Sequence, residues 1–373
     1  MAARIPHARD RQHSRPPRPP ARAGPFTAVL LCNLGTPDEP TPAAVRRYLA
    51  QFLADPRVVE IPRAVWLPLL YGVILPLRSA KSAAKYATIW TPEGSPLKVW
   101  TERQAKRLQG WLGEHGHRVR VAYAMRYGNP SIASELDALA DAGAERILIL
   151  TAYPQYSGTT TASVIDAVAQ WAQARRAVPE LRFVNRYHDD RGYLQALARS
   201  IERHWREHGK PDHLVMSFHG VPERTLHLGD PYHCECRKTG RLLAELLQLP
   251  ADAWTLTFQS RFGKAKWLEP YTEPTLQALA REGKRRVDVV CPGFSSDCLE
   301  TLEEIAQEGR DAFLAAGGRS FQYIPCLNDD TEWIRALGAI TQQHLAGWPT
   351  QAVADPKVLQ EQKERAVALG AAR

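Results

Sequence analysis

An internal repeat constrains the fold of this chain more than any other feature of its sequence. Residues 135–143 form a helical pattern that ends at Gly143, and a short loop then leads into the apolar run 147–151. Residues 275–283 and the apolar run 287–291 repeat this order about 140 positions later. A helix that ends at a glycine and is followed by a buried strand is half of a βαβ unit. The sequence therefore predicts two copies of one α/β half-fold.

A second correspondence supports this duplication, because the strand end 34–37 aligns with the strand end 219–222. We expect the strands of the first copy at 28–33, 118–125, 147–151 and 181–185, and those of the second at 214–218, 254–259, 287–291 and 321–326. Helical patterns separate these runs, which favours a mostly parallel sheet in each half with helices on both faces. The cleft between the halves is the expected ligand site.

The distribution of charge separates a tail from the body of the chain. The net charge is +8, but residues 1–24 hold six arginines against one aspartate, which is +5 and leaves +3 for the rest. We expect residues 1–24 to be a disordered basic tail, either solvated or in weak contact with an anionic surface. The body carries too little charge to indicate a nucleic-acid partner. The predicted units are an N-terminal domain at 25–185, a C-terminal domain at 186–345 and an extension at 346–373.

The cysteines indicate where the protein is located, and the absence of phosphate-binding motifs from the sequence limits the ligands that it can bind. The six cysteines lie in a chain without a secretion signal, which indicates reduced thiols and a cytoplasmic location. Neither a glycine-rich GxGxxG turn nor a Walker lysine motif follows the strands, which argues against a dinucleotide or ATP as ligand. The ligand is expected to be polar without being polyanionic.

His219 is the most informative residue at a predicted strand end. The buried run 214–218 precedes it, and Gly220 and Pro222 force the backbone to turn directly after it. Ligands of open α/β sheets bind at this edge. On these residues alone, a structural histidine and a ligand-binding histidine both remain open.

Three carboxylates, Glu300, Glu304 and Glu308, follow an equivalent strand in the second copy. They repeat every four residues, so in an α-helix they would drift by only about 40° per step. They form either a solvated helix face or a path for a cation, and the nearest following cation in the sequence is Arg310. The spacing predicts a widened, π-like first turn that aligns the acids, with Ser296 or Asp297 as the N-cap. A histidine nitrogen and a carboxylate oxygen facing each other would suit a divalent transition metal in transit.

With these residues in place, the chain resembles the ferrochelatase family from about residue 29 to about residue 348. The matching segments are LVMSFHGVP at 214–222, GDPY at 229–232, NLGTP at 33–37, EGSPL at 93–97, MRYG at 125–128, YPQYS at 153–157, FQSR at 258–261, WL at 267–268 and SDCLETL at 296–302. In its details the chain is similar to the protoporphyrin enzymes of Gram-negative bacteria.

The resemblance implies two similar Rossmann-like domains, each with a mostly parallel four-stranded sheet flanked by helices, and an active-site cleft between them. It implies insertion of ferrous iron into protoporphyrin IX to form protohaem, with release of two protons, as the last step of haem biosynthesis. It makes His219 and Glu300 the catalytic and metal-binding pair, and Glu304 and Glu308 a path for protons or iron. The porphyrin contacts it implies are Asn33, Leu34, Arg126, Tyr127, Tyr156 and Trp267.

Several alternatives stay open at the level of sequence. Glu300 could hold iron or receive protons. The substrate could be coproporphyrin III, or the metal cobalt, since the sequence does not locate the cations that extra propionates would need. A non-catalytic tetrapyrrole carrier is the alternative from another class, but a carrier has no use for a base that faces a file of acids.

We expect iron as a substrate and no prosthetic group. Cys234 and Cys236 could suggest a metal clip, and some relatives carry a [2Fe–2S] cluster on four cysteines. The C-terminal cysteine group that animal members use is missing after Cys326, so no cluster is expected here. Cys298 stands where animal members have a histidine, so it cannot take over the role of that side chain.

The apolar run 65–77 is the candidate for membrane contact. Its 13 residues are too few to span a bilayer, and Pro68, Gly72 and Pro76 interrupt it. Basic residues follow it, as in interfacial segments. The resemblance implies an apolar lip at the cleft mouth that makes peripheral contact with the inner membrane, while ordinary core remains the alternative. Protein partners are not indicated.

Overall fold

The computed structural model describes residues 25–263, 265–351 and 355–371. The predicted tail at 1–24 lies outside the described residues, as does part of the extension. All eight predicted strands are present, with ends that shift by at most a few residues. They are β1 (Phe26–Thr36), β2 (Arg120–Gly128), β3 (Ala144–Thr151), β4 (Glu180–Val184), β5 (His213–His219), β6 (Trp254–Gln259), β7 (Arg286–Val290) and β8 (Ser320–Ile324).

The strands form two four-stranded sheets with the same order, β2-β1-β3-β4 and β6-β5-β7-β8. Every pairing between neighbours is parallel. The equal order confirms the predicted duplication and the fold class. β1 and β5 hold the same position in their sheets, so the ends of these two strands, near Leu34 and at His219, are equivalent places in the fold.

Helices cover both sheets, and the described α-helices run in chain order. They are α1 (Pro42–Leu53), α2 (Arg63–Leu69), α3 (Leu75–Ile89), α4 (Pro96–Glu114), α5 (Ile132–Asp141), α6 (Ser163–Gln173), α7 (Arg191–His208), α8 (Glu223–His227), α9 (Tyr232–Leu246), α10 (Thr272–Arg281), α11 (Arg310–Ala315), α12 (Thr331–His344) and α13 (Pro356–Ala368). Local sequence sets their ends. The Asp190 side chain accepts a hydrogen bond from Tyr193 N at the start of α7, and Gly209 ends that helix with φ at 83°.

Strand burial explains why the strands read as continuous apolar runs rather than alternating ones. The five residues 28–32 of β1 are completely buried, because helices cover both faces of a parallel sheet. Each fully buried leucine or valine contributes roughly 1.5–3 kcal/mol relative to an exposed one. The buried apolar residues of the central strands therefore stabilise the sheet.

The segment after α12 contacts the first half of the molecule. Helix α12 packs on both α7 and α4. After it, Trp348 Nε1 donates to Glu180 at 2.8 Å, and Arg118 N donates to the carbonyl oxygen of Thr350 at 2.6 Å. The domain boundaries given above stay predictions, and residues up to Thr350 tie the second half to the first.

Among the described residues, three segments are π-helical: π1 (Leu70–Ile74), π2 (Gly158–Ala162) and π3 (Glu300–Gly309). The predicted π-like turn at the acids is confirmed, and it extends over all ten residues of π3. The predicted cap by Ser296 or Asp297 is wrong, since no side chain caps this helix. The Asp297 carboxylate instead accepts hydrogen bonds from the Thr301 hydroxyl at 3.2 Å and from the Asn328 amide at 2.7 Å.

A helix needs about 20 consecutive, mostly apolar residues to cross a membrane. Within the part of the chain that the structure describes, no helix is both long and apolar enough to traverse a bilayer.

Candidate active site

A cavity of about 420 Å³ lies between the two halves, at the carboxyl ends of the strands. The loops after β1 and β3 line it from one side, and those after β5, β6 and β7 line it from the other. Most of its wall is apolar, and the apolar lining includes Leu34, Phe52, Val58, Val59, Ile61, Leu97, Val221, Trp267 and Phe294. This is the cleft that the sequence predicts, and its size is ordinary for a small-molecule site.

His219 ends β5 and lines this cavity. Its Nδ1 lies 2.6 Å from the carbonyl oxygen of Gly220. A carbonyl can only accept a hydrogen bond, so Nδ1 carries a proton and the neutral ring keeps its lone pair on Nε2. A Cβ at Gly220 would lie 2.7 Å from the carbonyl oxygen of Gln259, so a glycine is required for this close turn. The local sequence therefore fixes both the position and the tautomer of the histidine.

Glu300 is the first residue of π3 and lines the same cavity. Gln259 connects it to the strand of the histidine. Gln259 pairs with His219 in the β5–β6 register, and its side-chain amide donates to the carbonyl oxygen of Glu300 at 2.7 Å. The buried Ser217 hydroxyl donates to the other side of this amide at 2.7 Å. Gln259 was missed by the sequence reasoning, although it lies in the FQSR segment.

Glu304 lies four residues farther along π3 and does not belong to the described lining of the cavity. Its carboxylate accepts hydrogen bonds from Ser260 N at 2.6 Å and from the Ser260 hydroxyl at 2.5 Å. Burial raises the pKa of Glu304, while these hydrogen bonds and the nearby His219 act in the opposite direction. A carboxyl group in this setting can hold a proton more readily than an exposed one.

Glu308 lies at the surface end of π3 with 56% of its side chain exposed. Its Oε1 is 2.8 Å from Lys85 Nζ, which is also 2.9 Å from Glu303 Oε1. Arg310, the nearest cation in the sequence, instead pairs with Asp311. The acids thus lead from the cavity at Glu300 to the surface at Glu308. The sequence analysis placed Lys85 among the basic residues after the apolar run 65–77 and missed its contact with these acids, which are more than 200 positions away.

The residues expected to contact a porphyrin fall into two groups, and the first lines the cavity. It consists of Asn33, Leu34 and Trp267. The Asn33 amide donates to Thr101 at 2.9 Å, and its oxygen accepts from Leu34 N at 2.8 Å, so this side chain shapes the turn. Trp267 is 4% exposed and packs against the ring of Phe262 at 4.9 Å.

Arg126, Tyr127 and Tyr156 form the second group, and none of them belongs to the described lining of the cavity. Arg126 Nη2 and the Tyr127 hydroxyl both donate to the Asp55 carboxylate, at 2.6 and 2.7 Å. Burial would raise the pKa of Asp55, but its hydrogen bonds and Arg126 hold it below the ordinary value. Tyr156 lies under the guanidinium of Arg186. Contact of these three residues with a porphyrin stays a prediction.

Two ion pairs lie at the mouth of the cavity. Arg57 bonds to Asp166 at 2.8 Å, and Arg224 bonds to Glu60 at 3.0 Å. The second pair joins the two halves, because Glu60 precedes α2 and Arg224 lies in α8. No motif marked these arginines, since their importance depends on how the halves face each other.

The run 65–77 has one exposed side and one buried side. Val65, Leu69, Tyr71, Val73 and Leu77 are exposed, with Leu77 at 68%. Leu70 and Leu75 are completely buried in a cluster with Leu53. The buried side is ordinary core, and the lip at the cleft mouth stays a prediction for the exposed side.

Cys234 and Cys236, the two cysteines that could suggest a metal clip, both lie on α9. Cys234 is exposed and Cys236 is buried, and two residues that are two positions apart on a helix do not face each other. Over the described ranges, no three side chains of His, Cys, Asp or Glu converge as a metal-binding group. Burial raises the pKa of the Cys298 thiol, which is also close to Glu300.

Comparison with known proteins was consistent at the level of sequence and of fold. A ferrochelatase of Methylibium petroleiphilum is 69% identical over 344 residues, which are 92% of this chain and 95% of that protein. One of Polaromonas sp. is 67% identical over 356 residues, or 95% and 97% of the two chains. The structure of SirB from Bacillus subtilis with Fe3+ has a TM-score of 0.52 at 11% identity and covers 86% of this chain and 96% of that one, which shows the shared fold. Residues 26–345 match the profile of one family over most of the chain, and the protein belongs to the ferrochelatase family.

Proposed function

We propose that this enzyme inserts ferrous iron into protoporphyrin IX to form protohaem and two protons, the last step of haem biosynthesis. Family membership makes it a metal chelatase with a porphyrin and iron as substrates. One observation carries the residue assignment. His219, which ends β5, and Glu300, which begins π3 after the neighbouring strand β7, line the same apolar cavity.

His219 is proposed as the base. Metallation must remove two pyrrole N–H protons before iron can take their place, and the lone pair on Nε2 can accept such a proton. The Nδ1 hydrogen bond to Gly220 keeps that lone pair available. The largely apolar walls suit the flat macrocycle, and a cavity that fits a bent ring better would expose the ring nitrogens and lower the barrier.

Glu300, Glu304 and Glu308 are proposed as the route for iron and protons. Glu300 faces the cavity, where it can hold iron or receive a proton. The raised pKa of the buried Glu304 supports a role as proton acceptor. Glu308 opens the route to solvent.

Two arginines support protoporphyrin IX over coproporphyrin III as the substrate. Protoporphyrin carries two propionates, and Arg57 and Arg224 are the arginines among the described residues of the cavity wall. Their present ion pairs are partly exposed and therefore weak, so substrate carboxylates can replace them. Four propionates would leave two without such a partner among the described residues of the wall.

The exposed face of 65–77 is proposed to contact the inner membrane from the cytoplasm, where poorly soluble porphyrin enters the cleft. Leu77→Asp should reduce co-sedimentation with anionic liposomes, while Leu246→Asp on α9 should not. Equal co-sedimentation of the two variants would exclude contact through this face.

The function is tested by an anaerobic assay of the purified protein with ferrous iron and each porphyrin in turn. Protohaem should form from protoporphyrin IX many times faster than the iron product of coproporphyrin III. A faster reaction with coproporphyrin, or with cobalt alone, would correct the substrate, and binding without metallation would make the protein a carrier. The purified protein should be colourless, because we propose no iron–sulfur cluster.

A further inference from the structure

The surface end of π3 is held by a cation from the other half of the molecule. Lys85 lies on α3, and its Nζ contacts Glu308 at 2.8 Å and Glu303 at 2.9 Å. The lysine side chain is 44% exposed, whereas that of Glu303 is 10% exposed. One ammonium group thus bridges two carboxylates where the file of acids reaches the surface.

Lys85, Glu303 and Glu304 differ in the contacts that influence their charge. Burial would lower the pKa of Lys85, but its hydrogen bonds to Glu308 and Glu303 raise it, so the ammonium is charged at neutral pH. Burial raises the pKa of Glu303, and Lys85 opposes that shift. Glu304, the next acid inward, is bonded to Ser260 instead. Lys85 therefore neutralises only the outer end of the file.

We propose that Lys85 occupies the place of an arriving iron ion at Glu303 and Glu308, and that its displacement sets the apparent affinity of the enzyme for iron. This inference rests on the proposed function, in which iron enters along these acids. A partly exposed ion pair is weak. Two carboxylates that share one ammonium can instead bind a divalent ion, because carboxylate oxygens can ligate such an ion and it has twice the charge. Lys85 thus sets the affinity for iron and takes no part in the chemistry.

The proposal predicts that loss of the lysine charge strengthens iron binding. Lys85→Met should lower the KM for ferrous iron about fivefold at low salt, as expected for removal of a weak competing charge. The kcat and the KM for porphyrin should stay unchanged, and Lys85→Arg should retain the wild-type KM for iron. Lys81→Met is the matched control, because Lys81 lies one turn earlier on α3 and forms none of the described ion pairs.

A binding measurement separates this proposal from the function itself. Binding of Mn2+ to the porphyrin-free protein, followed by electron paramagnetic resonance, should be about fivefold tighter in Lys85→Met than in Lys81→Met. Lys85→Gln serves as the second variant if the methionine variant does not fold. An unchanged or raised KM for iron, or unchanged Mn2+ binding, would overturn the role of Lys85 while iron insertion continues. A wild-type protein without iron insertion would overturn the proposed function, and the Mn2+ titration would still decide the role of Lys85.

Discussion

The two copies of the half-fold use equivalent positions in different ways. Strands β1 and β5 hold the same position in their sheets. Near the end of β1 the first copy places Leu34 in the cavity, and at the end of β5 the second copy places His219 there. After the third strand, each copy continues into a π-helical segment, π2 in the first and π3 in the second. The duplicated scaffold thus supplies two sets of strand ends. We infer that the first set mainly forms wall and the second set performs the chemistry.

The two π-helices that follow the third strands, π2 and π3, show the same division. In the first copy, Gly158 N and the Ser157 hydroxyl, at the start of π2, donate to the Asp230 carboxylate at 2.7 and 3.1 Å. Asp230 belongs to the second half, so π2 fastens the halves together. In the second copy, π3 carries acids from the cavity to the surface and contacts Lys85 of the first half. A widened helix in both copies therefore contacts the opposite half, but only π3 carries a file of carboxylates.

The largest expected effect comes from replacing His219 and, for comparison, Leu34, which hold equivalent positions in the two sheets. His219→Ala should reduce kcat by about 100- to 10,000-fold, the usual contribution of a general base, and leave porphyrin binding largely intact. Leu34→Ala should change mainly the KM for porphyrin, by several-fold, because it removes only apolar contact. Steady-state kinetics and fluorescence titration of the porphyrin measure both effects. Equal losses of kcat in the two variants would break the proposed division between the copies.

Asp230→Ala should destabilise the contact between the halves. It removes a charged acceptor from Gly158, Ser157 and Tyr232 N, and a lost hydrogen bond to a charged group costs about 1.5–3 kcal/mol. Urea unfolding should show this loss in the free energy of unfolding. Asp252→Ala is a suitable control at an exposed position. Unchanged stability would mean that π2 does not fasten the halves.

Glu304→Gln should raise the KM for ferrous iron about tenfold and leave the KM for porphyrin unchanged, because the acid is bonded to Ser260 outside the cavity wall. Such a change corresponds to about 1.4 kcal/mol in binding free energy. The control is Glu273→Gln on α10, whose described side-chain partner is Gln277. Equal iron dependence in the two variants would refute the path.

The smallest effect is on stability as a function of pH. Burial raises the pKa of Glu304, so the folded protein binds this proton more tightly than the unfolded chain does. The pKa of a glutamate in the unfolded chain is about 4.3. The wild type is therefore most stabilised by this group below that pH, and it loses this stability as the pH rises through the raised pKa of the folded state. Glu304→Gln does not titrate, so its melting temperature relative to wild type should increase from pH 4 to pH 7. A constant or decreasing difference would contradict the assigned burial.

The strands and the main residues of the cavity can be predicted from the sequence, but the long-range contacts around them cannot. All eight strands, the π-helix at the acids and the placement of His219 and Glu300 at one edge follow from local apolar runs and from the repeat. Lys85, Gln259 and Asp230 act through contacts that depend on how distant segments pack, which no local pattern encodes. The missing cap at Asp297 has the same cause, because Asn328 and Tyr323 from the β8 region compete for its carboxylate.

The central claim is that the chemistry takes place beneath His219 and Glu300 and is carried by the second copy alone. A crystal structure of the protein with protoporphyrin IX tests it most directly. We predict that the ring centre lies in the cavity within about 3–4 Å of His219 Nε2 or the Glu300 carboxylate, with Leu34 against the ring. A macrocycle centred on Arg126 and Tyr156, with His219 out of reach of its nitrogens, would contradict the account.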